Sequence, residues 1–94
     1  LQDQVAIEID KLETTIDAAR EFVGLTSAEV EQESLMEQAE RDRFSAGASD
    51  FFLVNLREER SADARIPHID AHLGYTTSVV DYQAATFDTT ALGL

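Results

Sequence analysis

The sequence has no cysteine, no tryptophan, one proline and four glycines among its 94 residues. Without cysteine, neither a disulfide nor a thiolate metal site can form, and cysteine usage does not indicate a redox compartment. Basic residues are also scarce, because 7 Lys and Arg stand against 19 Asp and Glu, a net charge of −12. Nucleic acid and anionic membranes attract basic surfaces, so we expect neither as a partner of this segment.

Long hydrophobic runs are also missing, since no apolar stretch approaches the roughly 20 residues of a membrane-spanning helix. The length fits at most one domain with a modest core. Because the first residue is Leu1 rather than Met, we expect a piece of a larger protein.

The acidic charge is unevenly distributed. Residues 1–36 hold nine acids and two bases, residues 37–65 seven and five, and residues 66–94 three acids and no base. If the chain folds back on itself, one end of the folded chain is acidic and the other is nearly balanced.

Apolar residues recur at steps of four and three, which is typical of one face of a helix. In the first part of the chain this predicted seam consists of Val5, Ile9, Leu12, Ile16, Ala19 and Val23. The pattern then changes phase and continues through Ala28, Leu35 and Ala39. In the second half the same spacing predicts a seam of Ala62, Ile66, Ile69, Leu73, Val80, Ala84, Phe87 and Ala91.

These patterns predict an all-α fold, a long antiparallel helical hairpin resembling a coiled coil. We expect helix 1 at about 3–44, a tip turn at about 45–49 and helix 2 at about 50–92. Gly47 can adopt a left-handed conformation that ends the first helix, and Ser49 or Asp50 can cap the second. Taken alone, such a turn is a plain connector.

Three residues argue against uninterrupted helices. Pro67 removes a helical hydrogen bond, and Gly74 lowers helix propensity. Gly24 precedes Thr26 and Glu29, which have the spacing of a capping box. The sequence therefore leaves two possibilities: both helices bend near Gly24 and Pro67, or the chain forms four shorter helices.

The histidines do not indicate a metal centre or a catalytic site. His68 and His72 are four residues apart, a spacing that can hold zinc on a helix, but no third ligand is specified. We therefore expect two exposed helical histidines, no metal, no cofactor and no enzymatic activity. Asn55 can set the register of the seam or face water, and water is favoured.

The remaining charged residues are expected at the surface. Glu29, Glu31 and Glu33 are most simply a solvated helix face. Arg57, Arg60 and Arg65 are expected to form exposed ion pairs with Glu31, Glu33, Glu37 or Glu58, each worth about 0 to 1 kcal/mol.

The stretch from Glu40 to Gly93 resembles the C-terminal helical hairpin of the TolC-like outer-membrane efflux proteins. Phe44 and Gly47 match an aromatic residue and a glycine before the turn, and 48–50 match a small and polar step. The pattern continues through Val54, Leu56, Ala62, Ala64, Ile69, Tyr82, Leu92 and Gly93. The sequence departs from it at Pro67 and Gly24, and the first helix matches more loosely.

The resemblance implies a homotrimeric channel in the Gram-negative outer membrane whose periplasmic α-barrel contains this hairpin. It implies a tip that docks a periplasmic adaptor (membrane fusion) protein and, through it, an inner-membrane transporter. The residues of this implied site are Phe44, Ala46, Gly47, Ala48, Ser49 and Asp50. The Glu-rich stretch of helix 1 can add to a negatively charged lumen.

Two other classes remain open. One is a self-contained, acidic helical-bundle domain that binds a basic partner protein. The other is the coiled-coil hairpin of an adaptor protein, although no flanking lipoyl-like β pattern is present.

Overall fold

The computed structural model describes residues 2–93 and contains two helices, α1 (Gln2–Ser45) and α2 (Phe51–Ala91), without a strand in that range. The predicted bounds, 3–44 and 50–92, differ from these by one residue at each end. The all-α helical hairpin is therefore confirmed. No helix within residues 2–93 is both long and apolar enough to cross a membrane.

Both helices run without interruption through the expected breakers, which excludes the alternative of four shorter helices. Thr26 does not cap a new helix but lies in the interior of α1, where it is buried. Pro67 is exposed, so the carbonyl group that it leaves without a helical partner can bond to water. Packing between paired helices outweighs the roughly 1 kcal/mol that each interior glycine costs.

The chain divides into two compact units. Unit 1 comprises Leu1–Val23 and Ala71–Leu94, and unit 2 comprises Gly24–Asp70. Each unit therefore contains one part of α1 and one part of α2. In each of them the buried and half-buried residues of both helices follow the alternating three- and four-residue spacing of a coiled coil.

In unit 1 the seam of α1 is the predicted apolar set from Val5 to Val23, every member of which is half-buried. The facing residues of α2 are small or amphipathic: Ala71, Tyr75, Ser78, Tyr82, Ala85 and Thr89. Polar and cation–π contacts are among those that join the helices here. The Tyr82 hydroxyl donates a hydrogen bond to Glu13 at 3.1 Å, and the Arg20 guanidinium lies 6.0 Å from the centre of the Tyr75 ring.

In unit 2 the seam is largely polar. On α1 it consists of Thr26, Val30, Glu33, Glu37 and Glu40, and on α2 of Val54, Arg57, Ser61, Ala64 and His68. Of these residues, the buried apolar ones are only Val54 and Ala64.

The predicted seam of α2 was therefore placed on the wrong face. Ile66, Ile69, Leu73, Val80 and Phe87 are between 55% and 74% exposed. The predicted phase change on α1 was wrong for the same reason, because Ala28, Leu35 and Ala39 are exposed while the seam keeps its phase through Glu40. Mostly small and polar side chains occupy the true seam of α2, and several of its larger aliphatic residues, including Ile66, Ile69 and Leu73, point outward.

Candidate functional site: the hairpin tip and the outer faces

The tip turn is built by a Schellman motif at the end of α1. The amide of Ala48 donates a hydrogen bond to the carbonyl of Arg43 at 2.8 Å. The amide of Gly47 donates one to the carbonyl of Phe44 at 3.0 Å. This geometry requires a left-handed residue, and Gly47 supplies it with φ of 79°. The predicted role of Gly47 in ending α1 is thus confirmed.

The start of α2 is capped by Asp50, whose carboxylate accepts a hydrogen bond from the Leu53 amide at 2.9 Å. Of the two predicted caps, Asp50 therefore fills the position. Ser49 is half-buried, and its hydroxyl oxygen is buried without a hydrogen-bond partner among the described residues.

The predicted tip residues lie together at this turn. Ala46, Gly47, Ala48 and Asp50 are exposed, and Phe44 is 44% exposed. The turn therefore presents small side chains and accessible backbone.

Two further aromatic residues, which the implied site did not include, lie beside this turn. Phe51 and Phe52 are 66% and 72% exposed, so both are more accessible than Phe44. The Phe44 and Phe51 rings are 6.4 Å apart between centroids and tilted by 54°, an arrangement that suits an aromatic pair. The sequence signal was available, since both residues immediately follow the cap.

The outer face of each unit also carries apolar side chains, which we call the outer residues. In unit 1 they are Ile7 on α1 and Leu73, Val80 and Phe87 on α2, and in unit 2 they are Leu25 and Leu35 on α1 and Phe52, Ile66 and Ile69 on α2. Leu73, Val80 and Phe87 follow one another at intervals of seven residues. That spacing keeps side chains on one side of a helix that follows a heptad repeat.

The histidines differ from the prediction of two exposed side chains. His68 is half-buried, and its Nδ1 lies 2.9 Å from the hydroxyl oxygen of Thr26. His72 is exposed. No group of three His, Asp or Glu side chains within the described part of the chain is arranged to hold a metal ion.

The charged side chains are also arranged differently from the prediction. The carboxylate of Glu33 is not fully solvated, because its Oε2 is buried. A cross-helix ion pair of unit 2 is made by Arg41, which lies 2.8 Å from Glu58. Of the three predicted arginines, Arg65 acts electrostatically on Glu37, where its charge helps to lower the pKa. Asn55 is exposed, as expected.

Arg41 also contacts Glu37 on its own helix, at 2.8 Å. The hydrogen-bonded Arg41 guanidinium and then the nearby Ser61 hydroxyl hold the pKa of the Glu37 carboxyl below its usual range. Glu37 is therefore a stable carboxylate at neutral pH, and it orients Arg41 toward α2.

Comparison of the chain with protein-family models, with curated protein sequences and with solved structures gives no match. The resemblance to TolC-like proteins thus stays a prediction from the motif. What the site itself offers is a tight turn with exposed aromatic side chains and paired helices with apolar residues on their outer faces.

Proposed function

We propose that this chain is a periplasmic hairpin of the α-barrel of a TolC-like outer-membrane efflux or secretion channel. The observation that carries the proposal is the row of apolar outer residues on α2. In unit 1, Leu73, Val80 and Phe87 are 65%, 55% and 74% exposed although they repeat every seven residues. A barrel of hairpins needs helices with two contact faces, one toward the partner helix and one toward a neighbouring hairpin.

The outer residues of α1 support the same arrangement. Leu25 and Leu35 in unit 2 are 64% and 65% exposed, and Ile7 in unit 1 is 55% exposed. Because α1 also carries exposed apolar residues opposite its seam, each helix of the pair offers a second contact face. Exposed apolar residues that align in this way are typical of a protein interface.

The tip supports the docking part of the proposal. The Schellman turn fixes the backbone near Gly47, and the side chains of Ala46 and Ala48 are small and exposed. A partner hairpin can therefore approach the backbone of the turn closely. Phe51 and Phe52 add an exposed apolar surface beside it. In this proposal the partner at the tip is the periplasmic adaptor protein.

Sedimentation of the purified chain over a range of concentrations tests the assembly part. We expect concentration-dependent self-association, because the outer residues of neighbouring copies cover one another. Val80→Glu places a charge on the outer face and should weaken association on the order of tenfold, which corresponds to about 1.4 kcal/mol.

The matched control is Thr86→Glu, which adds the same charge to an exposed position of α2 outside the outer residues. Association that is weakened by Val80→Glu and not by Thr86→Glu supports the proposal. A chain that stays monomeric at every concentration would contradict it and favour the self-contained acidic interaction domain.

A further inference from the structure

The seam of unit 2 is poorly suited to hold two helices together permanently. Glu33 Oε2, Glu40 Oε2 and Arg57 Nη1 are buried and have no hydrogen-bond partner among residues 2–93, although Glu40 Oε2 lies 3.7 Å from Arg43 Nη1. Burial removes such groups from water, and an absent hydrogen bond leaves that cost uncompensated. Apolar side chains offset part of it, since Val54 and Ala64 are buried and Val30, Met36, Leu53 and Leu56 are half-buried.

An ionic contact joins α1 to α2 in this unit, in addition to the contact at 2.9 Å between the Thr26 hydroxyl oxygen and His68 Nδ1. Arg41 Nη2 donates to Glu37 at 2.8 Å and to Glu58 at 2.8 Å, and Arg41 Nε donates to Glu37 at 3.0 Å. We call these three residues the Arg41 bridge. The ion pairs Arg20–Asp17 and Arg43–Glu40 instead link side chains three positions apart on α1. The bridge is thus an ion pair that crosses from one helix to the other.

The position of the bridge makes it accessible. The side chains of Arg41 and Glu58 are 45% and 43% exposed, so salt and competing charged groups can reach them. A planar guanidinium can serve two carboxylates at once, which an ammonium group does less well. The bridge therefore combines a defined geometry with easy release.

From these observations we propose that the Arg41 bridge is a releasable closure of unit 2. With the bridge formed, α1 and α2 stay paired over the polar seam. When it is broken, the pairing of the two helices loosens within Gly24–Asp70. A partner that offers its own carboxylates to Arg41 can release the bridge in the same way as salt. This inference concerns the isolated hairpin and does not depend on the proposed channel.

Paired spin labels provide the test, because the chain has no native cysteine. Cysteines at Ser34 and Ala62, both exposed, report on unit 2, and cysteines at Ala18 and Thr77, also exposed, report on unit 1. Arg41→Gln should broaden the 34–62 distance distribution and move it to longer distances. It should leave the 18–77 distribution unchanged.

Amide exchange gives a second reading of the same change. In Arg41→Gln we expect exchange in unit 2 to be about fivefold faster, the upper range for an exposed ion pair. Arg41→Lys keeps the charge but not the planar geometry, so it should restore the 34–62 distribution in part. The matched control is Arg60→Gln, which removes the same charge from an exposed position of unit 2 outside the bridge.

Salt titration of the unaltered chain keeps the proposal testable if Arg41→Gln does not fold. At about 1 M salt the screening length falls to about 3 Å, and the 34–62 distribution should broaden reversibly. A 34–62 distribution that is unchanged both in Arg41→Gln and at high salt would overturn the proposal. An equal change in Arg60→Gln, or an equal broadening of the 18–77 distribution, would overturn it as well.

Discussion

Unit 1 and unit 2 pair the same two helices with opposite kinds of side chain. In unit 1, α1 contributes Val5, Ile9, Leu12, Ile16, Ala19 and Val23 to the seam, and in unit 2 it contributes Thr26, Val30, Glu33, Glu37 and Glu40. The spacing is the same in both units, and only the chemistry differs. A regular repeat therefore fixes which residues face the partner helix, but not how strongly the helices are held together.

The difference has a thermodynamic consequence. Apolar surface removed from water stabilises by about 25 cal/mol per Å², so the seam of unit 1 contributes favourably along its length. The carboxylates of unit 2 lose hydration when they are buried, and their ion pairs recover only part of that loss. We infer that unit 1 is the more firmly paired of the two.

The largest effect is expected from truncating the apolar seam of unit 1. Leu12→Ala removes a half-buried side chain and should lower the free energy of unfolding by about 2 kcal/mol. Chemical denaturation measures the loss. The control is Leu35→Ala, which removes the same atoms from a side chain that is 65% exposed. Similar losses in the two variants would contradict the assignment of the seam.

A smaller effect, of opposite sign, is expected in the polar seam of unit 2. Glu33→Leu replaces a carboxylate whose Oε2 is buried without a hydrogen-bond partner. It should raise the free energy of unfolding by about 1 kcal/mol, because an apolar group removes the desolvation cost. Glu29→Leu is the control, since Glu29 is exposed and its replacement should change little. A destabilised Glu33→Leu chain would show that the charged seam is favourable after all.

Replacing a glycine is expected to have opposite effects on stability at the tip and in a helix interior. Gly47→Ala forces an L side chain to a φ of 79° and should cost about 1 kcal/mol. Gly24→Ala should instead stabilise by up to about 1 kcal/mol, because a Cβ there meets no atom within 4 Å and alanine favours the helix. Thermal unfolding of both variants measures the two signs. If both substitutions change the stability in the same direction, the result would contradict the continuity of α1 or the conformation of the turn.

The smallest effect concerns pH and unit 2. The pKa of Glu37 is held below its usual value by Arg41 and Ser61. A group with a lowered pKa stabilises the folded state fully above its unfolded pKa, about 4.3 for glutamate, and loses that contribution as the pH falls through the lowered value. The 34–62 label distances should therefore broaden at acidic pH.

Arg41→Gln provides the control for this pH dependence. It removes the first cause of the lowered pKa, so its 34–62 distances should depend less on pH over the same range. An equal pH dependence in the unaltered chain and in Arg41→Gln would exclude Glu37 as the responsible group.

Sequence reasoning could predict the helical hairpin and its turn because both depend on local signals. The left-handed Gly47 and the capping carboxylate of Asp50 act within a few residues of their own positions. The seam of α1 from Val5 to Val23 was also predicted correctly, because its buried face is also its more apolar face.

The seam of α2 could not be predicted in the same way. Many of its contact residues are small, as with Ser61, Ala64 and Ser78, whereas Ile66, Ile69 and Leu73 face outward. The periodicity of hydrophobic residues therefore identified a real apolar face of α2. This face is the exposed one, however, and not the face that contacts α1. The Arg41 bridge was missed because its cross-helix contact depends on the register of the hairpin, although the four-residue spacing of Glu37 and Arg41 was a visible local signal.

The tip offers the most direct test of the proposed channel function. In the full-length protein that carries this chain, Ala48→Trp adds bulk at an exposed position of the turn and should leave the helices intact, whereas Ala48→Ser keeps the side chain small. We measure the amount of outer-membrane trimer together with drug or metal resistance. Docking at the tip predicts normal trimer with lost resistance in Ala48→Trp and full resistance in Ala48→Ser. Normal trimer with full resistance in Ala48→Trp would contradict it.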